Sequence, residues 1–232
     1  MKSLYLIIDF VTILFPILLS FDKKVAYSKS WKYVFLSCFI VGIPFLIWDF
    51  FFTKNGVWGF NDDYLVGIKI LNLPIEEILF FLLVPFSCLF IYACVKAYLT
   101  NYNFKKINVI FYWLIAFYIL FILFFGYKGA YSFGVVVSSL ITLLLIFWFG
   151  KKLTFLPIAF VISLIPFLIV NGVLTGAFTT EPVVWYNDEE RTPFRIFTIP
   201  AEDILYSFTL IGLNILVFER LIKNAVLATH RS

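Results

Sequence analysis

Seven stretches of this chain, at about 4–21, 33–52, 73–96, 107–126, 131–149, 153–174 and 199–219, are each apolar over close to the ~20 residues that a helix needs to cross a bilayer. A soluble domain is about half apolar and a quarter charged. Here 62% of residues are hydrophobic and 14% charged, with a mean hydropathy of +1.00. The expected fold is therefore all-α and polytopic, with seven transmembrane helices. That apolar content excludes disorder, and the Lys+Arg excess of 4, scattered without a basic stripe, excludes a nucleic-acid module. The third and seventh runs reach full length only by taking in Glu76 and Glu77, and Glu202 and Asp203. The first run reads as a span and not as a cleaved signal peptide. It has one Lys before it, Asp9 inside it, and no small-residue cleavage site.

Lys and Arg accumulate on the cytoplasmic side of membrane proteins. Of the 18 here, 12 fall on one side of the seven-span arrangement (Lys23, Lys24, Lys29, Lys32, Lys96, Lys105, Lys106, Lys151, Lys152, Arg220, Lys223, Arg231) and 6 on the other. This predicts an integral protein of a bacterial cytoplasmic membrane, with its N-terminus outside and its C-terminus in the cytoplasm. The three cysteines (Cys38, Cys88, Cys94) lie in apolar runs without CxxC spacing, so they indicate neither a disulfide framework nor a zinc site. The single histidine, His230, lies in the C-terminal tail, which excludes Ser-His-Asp and Cys-His catalysis.

An internal repeat appears at a shift of 126 residues. Asn61-Asp62-Asp63 matches Asn187-Asp188-Glu189, Lys69-Ile70 matches Arg195-Ile196, and Leu73-Pro74-Ile75-Glu76-Glu77-Ile78-Leu79-Phe80 matches Ile199-Pro200-Ala201-Glu202-Asp203-Ile204-Leu205-Tyr206. The separation from Asn to Pro is 13 in both copies, and Trp58 and Trp185 lie just upstream at nearly the same offset. The shift lays span 1 on span 5, span 2 on span 6 and span 3 on span 7. It leaves span 4 as a connector, and so makes the two repeats parallel. The boundaries that follow are 1–103 for the first repeat, 104–127 for the connector and 128–232 for the second repeat. Spans 1 and 2 match their partners in hydropathy only: Asp9 falls opposite Val135, and Asp49 opposite Thr175.

Pro74 and Pro200 suit the first turn of a helix, where a missing N–H is harmless. The acids after them then lie in that turn. Glu76 and Glu77 are adjacent, hence about 100° apart around the axis, so one faces the bundle while the other faces a loop or a neighbouring helix. Glu202 and Asp203 repeat the arrangement. A helix N-terminus favours the anion by only about 0.3–1 kcal/mol, whereas burial among apolar walls and other carboxyls favours the protonated form more strongly. Such a cluster can both donate and accept a proton. The plainer alternative is that the acids are ordinary dipole partners at a wet interface. Intramembrane ionisable groups default to function, and the motif persists while the flanking spans have diverged, which favours the chemical reading. Asn61, Asp62, Asn187 and Asp188 suit capping of loop backbone. Lys69 and Arg195 suit either pairing with the carboxylates of the cluster or, somewhat better, contacts with headgroups. Asp49 is close to the cluster in depth, and Asp9 balances against a plain interhelical hydrogen bond. Inward-facing Phe, Tyr and Trp suit a polyene or a carbocation.

The paired Pro-x-Glu-Glu and Pro-x-Glu-Asp motifs, each opening a helix of a duplicated three-span unit, resemble the membrane lycopene β-cyclases of the two-subunit type, joined here as one chain. In that family the halves occur as separate polypeptides, as one fused chain, or fused to phytoene synthase in fungi. The resemblance covers essentially the whole chain. It implies that lycopene from the bilayer is cyclised to γ- and β-carotene by carboxylic-acid protonation, carbocation ring closure and deprotonation. Glu76, Glu77, Glu202 and Asp203 would be catalytic, with Asn61, Asp62, Asn187, Asp188 and Asp49 supporting them. No cofactor, metal or nucleic acid is implied, and association with other carotenoid enzymes is. The absence of a GxG fingerprint or P-loop fits a redox-neutral reaction. Three alternatives stand beside it. One is a Mg²⁺-dependent prenyltransferase using the two Asn-Asp motifs. Another is a seven-span retinal protein, which lacks the lysine it would need inside span 7. The third is a transporter, whose site should lie at mid-membrane.

Overall fold

The computed structural model describes residues 2–149 and 153–229. Lys151, Lys152, His230 and Arg231, used in the charge and histidine arguments above, lie outside the described residues. Seven α-helices follow one another: α1 (Leu4–Leu19), α2 (Trp31–Lys54), α3 (Ile75–Tyr98), α4 (Lys105–Gly126), α5 (Ala130–Phe149), α6 (Leu156–Leu174) and α7 (Asp203–Thr229). Six of them, α2 to α7, are long and apolar enough to cross a membrane, so the chain is a mostly helical integral membrane protein. The first is shorter than its apolar run. With 16 residues, α1 rises about 24 Å against a hydrocarbon core of about 30 Å. It ends where the Ser20 hydroxyl donates to the Pro16 carbonyl at 2.5 Å.

Two helices form the centre. Within the most apolar 18-residue window, 67% of α3 and 61% of α7 is buried, against 28% in α4 and 33% in α5. α3 packs on α1, α2, α6 and α7, while α7 packs on α2, α3, α5 and α6. The sequence pattern explains the division. Polar residues inside spans must face protein, and α7 carries Ser207, Thr209 and Asn214, all buried. The Asn214 amide donates to the Leu210 carbonyl, and Thr209 bonds Ser139 of α5. By contrast α4 turns Trp113, Phe117 and Phe124 outward, as lipid permits.

The two long connections add short strands to this all-α architecture. The α2–α3 loop carries β1 (Trp58–Phe60), a 3₁₀ turn (Asp62–Tyr64), β2 (Lys69–Ile70) and β3 (Leu73–Pro74). The α6–α7 loop carries β4 (Val184–Tyr186), a 3₁₀ turn (Asp188–Glu190), β5 (Arg195–Ile196) and β6 (Ile199–Pro200). β2–β3 and β5–β6 are tight antiparallel hairpins. β1 and β4 pair antiparallel across the two loops, with Trp58 opposite Tyr186, Gly59 opposite Trp185 and Phe60 opposite Val184. The ladder is closed by the Asn61 N–H donating to Val183 and the Asn187 N–H donating to Val57, both at 2.9 Å. Backbone outside the helices needs these partners, and each strand is too short to leave an alternating pattern in the sequence. The Trp185 ring packs on Gly59, where a side chain would collide with it. Trp58 and Trp185 are therefore not equivalent: Trp58 is buried, and Trp185 is 42% exposed.

The hairpins also move the helix starts. Pro74 precedes α3 in an extended conformation, and Pro200 ends β6. Neither proline is in a first helical turn. The seventh span, expected at 199–219, begins at Asp203 and runs on to Thr229.

Candidate active site

The N-terminal ends of the central helices α3 and α7 meet beneath the paired β1 and β4 strands, and all four motif acids are buried there. They divide into two pairs of neighbours with different surroundings. Glu77 and Asp203 line one narrow cavity of about 40 Å³, together with Tyr5, Trp58, Tyr131, Tyr186 and Tyr206. Glu76 and Glu202 turn away from it and hold the loops.

Glu77 lies in the first turn of α3. Its Oε2 accepts from the Tyr5 hydroxyl of α1 at 2.6 Å. Asp49 of α2 is close enough to Glu77 for the two carboxyls to interact electrostatically. Asp49 Oδ1 accepts from the Trp58 indole N–H at 2.5 Å, and its Oδ2 has no donor among the described residues. Asp203 is held differently, by three donors. Tyr131 donates to Oδ1, while the Asn171 amide donates to Oδ2 at 2.5 Å and the Tyr186 hydroxyl at 3.3 Å. Burial, and then the neighbouring Asp203 carboxyl, push the Tyr186 phenol of the loop strand well above its usual pKa, so it remains a donor.

Glu76 Oε1 accepts from the Val66 backbone N–H at 2.7 Å, and its Oε2 has no donor among the described residues. Asp9 of α1 is close enough to Glu76 to interact electrostatically; it is fully buried, and neither of its oxygens has a donor among the described residues. Glu202 is fully satisfied. Its Oε1 accepts from the Thr192 N–H at 2.5 Å and the Ser132 hydroxyl at 2.6 Å, and its Oε2 from the Thr192 hydroxyl at 3.2 Å. Glu202 precedes α7, and its carbonyl accepts from the Leu205 and Tyr206 N–H groups, so it caps that helix from the backbone side.

The remaining expected residues are scaffold. Asn61 and Asn187 each accept from the backbone N–H two residues on, at 3.0 Å, and so cap the two 3₁₀ turns. Asp62 pairs with Lys69 at 2.7 Å, and Asp188 pairs with Arg191 and, at 3.2 Å, with Arg195. The side chains of Asp62 and Asp188 are 72% and 77% exposed. Lys69 and Arg195 therefore pair with loop acids. The Arg191 hydrogen bond holds Asp188 below its ordinary carboxyl pKa. These four residues lie outside the cavity lining, whereas Asp49 joins the acidic cluster.

Sequence reasoning missed Tyr5, Tyr131, Asn171 and Tyr186 as partners of the acids. One signal was present: Tyr5 and Tyr131 are 126 residues apart, the shift that relates Glu77 to Asp203. Around the acids the aromatic rings form a continuous wall. Trp58 meets Tyr131 edge-on at 5.2 Å between centroids, and Tyr131 stacks on Tyr186 at 5.5 Å. The arrangement can pass a proton to and from an apolar ligand and surround a positive charge with π faces.

Comparison with known proteins points to one family. The sequence model of a family described as lycopene cyclase matches residues 2–95 and 129–221, most of the chain. A bifunctional lycopene cyclase/phytoene synthase of Aspergillus niger is 38% identical over 47 residues, which make up 19% of this chain and 8% of that protein. The match thus spans a small part of the relative's length. No solved structure matches the chain.

Proposed function

The chain belongs to the lycopene cyclase family, and from that premise we propose that it closes the linear ends of lycopene into β-rings, giving γ- and β-carotene. The observation that carries this reading is the pair of unlike carboxyl centres facing one aromatic cavity. Glu77 and Asp49 are close enough to interact electrostatically, an arrangement that suits a proton shared between two carboxyls. Three donors converge on Asp203, an arrangement that suits a group that accepts. Glu77, backed by Asp49, donates a proton to the terminal double bond of the chain. The neighbouring double bond attacks the resulting cation and forms the ring carbon–carbon bond. Asp203 then removes a ring proton, and return of that proton across the cavity resets the pair. Atoms and electrons balance, so the step is an isomerisation. Each well-placed aromatic face stabilises the cation by about 2 kcal/mol when desolvated, and apolar walls keep water from quenching it. Glu76 and Glu202 act on the reaction only by positioning the loops.

The same reading treats residues 1–103 and 128–232 as parallel repeats joined by 104–127. It is supported by contacts that recur at the shift of 126: Tyr5 to Glu77 and Tyr131 to Asp203, Val66 to Glu76 and Thr192 to Glu202, and Lys69 to Asp62 and Arg195 to Asp188. The N-terminus and both long loops then face outward from a cytoplasmic membrane. In a cysteine-free background, an exposed Asp63→Cys on whole bacterial cells is expected to react with an impermeant maleimide. Labelling only after lysis would reverse the orientation.

The function is tested by expressing the chain in a bacterium that accumulates lycopene and separating the extracted pigments. Conversion to γ- and β-carotene is expected. Unchanged lycopene, with the protein detected in the membrane, would overturn the reading.

A further inference from the structure

The acidic cavity, at about 40 Å³, is far smaller than the ~300–1,000 Å³ of ordinary ligand sites. A second cavity of about 360 Å³ lies beside it, between α1, α3 and α6. Phe167 of α6, 5% exposed, is a wall of both. The two cavities also continue one another along each helix. On α3 one face runs from Glu77 and Phe80 in the acidic cavity to Val84, Ser87 and Ile91 in the second, at alternating three- and four-residue steps. On α6, Leu174 and Asn171 line the first, Phe167 both, and Ser163 the second. On α1, Tyr5 lines the first, and Thr12 and Pro16 the second.

The chemistry of this second cavity selects a hydrocarbon. Two of its three hydroxyls are turned onto backbone: Ser87 donates to the Thr12 and Leu83 carbonyls at 3.0 and 2.9 Å, and Thr12 to the Ile8 carbonyl at 2.8 Å. The third, Ser163, lies beside the Cys88 thiol and has no backbone partner among the described residues. The wall that remains is mainly Val, Ile, Phe and Pro. No charged residue among those described lines it, so nothing there would recognise a headgroup or a diphosphate. Thr12, Ser87 and Ser163 lie near the middles of their helices, at the depth where a dissolved hydrocarbon resides.

We infer that the groove between α1, α3 and α6 binds the linear polyene chain of the substrate, and that Phe167 separates this chain site from the acidic cavity that takes the end group. The inference rests on the proposed cyclase reading and adds where the rest of the molecule lies while one end reacts. Displacement of the Phe167 ring joins the two spaces. The occupant is an extended apolar chain that reaches the acids end-on, which a lipid acyl chain tethered at the headgroup level does not.

The test fills the groove away from the acids. Val170→Trp places a large side chain on the α6 wall of the groove, and Ile165→Trp places the same side chain on an exposed face of α6 outside it. Each is expressed in lycopene-accumulating cells with membrane levels checked by immunoblot, and each is combined with Glu77→Gln to measure lycopene retained per purified protein without turnover. Val170→Trp is expected to lower both conversion and retention by about tenfold or more, and Ile165→Trp to leave both near the parent value. Full conversion by Val170→Trp would overturn the inference and leave the groove to lipid, with the cyclase reading intact. Equal losses in the two variants would mean disturbed packing and would also overturn it. Lycopene retained in a Val170→Trp-sensitive manner, with no ring formed by the parent chain, would support the groove and overturn the cyclase reading.

Discussion

Lycopene-producing cells that carry Glu77→Gln or Asp203→Asn stay at the linear pigment, with ring formation down by about 10²–10⁴-fold, the usual contribution of a positioned acid or base. The two substitutions keep size and shape. In Glu77→Gln the amide oxygen still accepts from Tyr5, whose hydroxyl is 2.6 Å from the native carboxyl, but an amide has no proton to give to a double bond. In Asp203→Asn one acceptor oxygen remains, yet the new NH₂ faces one of the donors that converge on the native Asp203. That mismatch costs about 1–3 kcal/mol, which lowers stability without removing the fold, and the amide is no longer a base. The measurement is the ratio of cyclic to linear pigment per unit of membrane protein. The division of roles is tested by Asp49→Asn in the same assay. If Asp49 only backs Glu77, the amide oxygen of Asp49→Asn still accepts from Trp58 and activity falls less than in Glu77→Gln. A larger loss in Asp49→Asn would make Asp49 the donor. Normal ring formation by Glu77→Gln would remove the acid from the mechanism altogether.

Much of this site could be read before any coordinates. Apolar runs located the seven helices because lipid requires long uninterrupted runs, and the error at α1 came from counting Ser20 and Phe21 into a helix that ends at Leu19. The adjacency of Glu76 and Glu77 already required them to face different ways, and they do: Glu77 lines the cavity and Glu76 accepts from the Val66 N–H. Sequence could not say which of each pair does so, because this depends on where the hairpins end. The β2–β3 and β5–β6 ladders are two residues long, too short for a period-2 pattern. Their Leu71 and Phe197 turns take positive φ without glycine, so the usual turn signal is missing. Tyr5 and Tyr131 were passed over for another reason: although they are related by the repeat shift, a tyrosine near a span end ordinarily reads as an interfacial anchor.

Glu202→Ala is expected to fail by a different route from Asp203→Asn, although the two residues are adjacent and share one motif. Glu202 is fully buried but does not line the acidic cavity. Its carboxyl binds the Thr192 N–H, the Thr192 hydroxyl and the Ser132 hydroxyl, and so ties the α6–α7 loop to α5. Alanine leaves these donors without partners in a buried site, at about 1–3 kcal/mol for each group left unsatisfied. The sum is a large share of a domain stability of about 5–15 kcal/mol. The variant should therefore be poorly retained in the membrane and aggregate at a lower temperature than the parent in detergent. Glu202→Gln, whose amide oxygen can still accept, should recover much of the protein and with it much of the pigment conversion. Asp203→Asn should show the opposite pattern, with near-normal amounts of inactive protein. A Glu202→Gln protein that accumulates normally yet forms no rings would return Glu202 to the chemistry and give the second repeat two carboxyls at its centre, as Glu77 and Asp49 give the first.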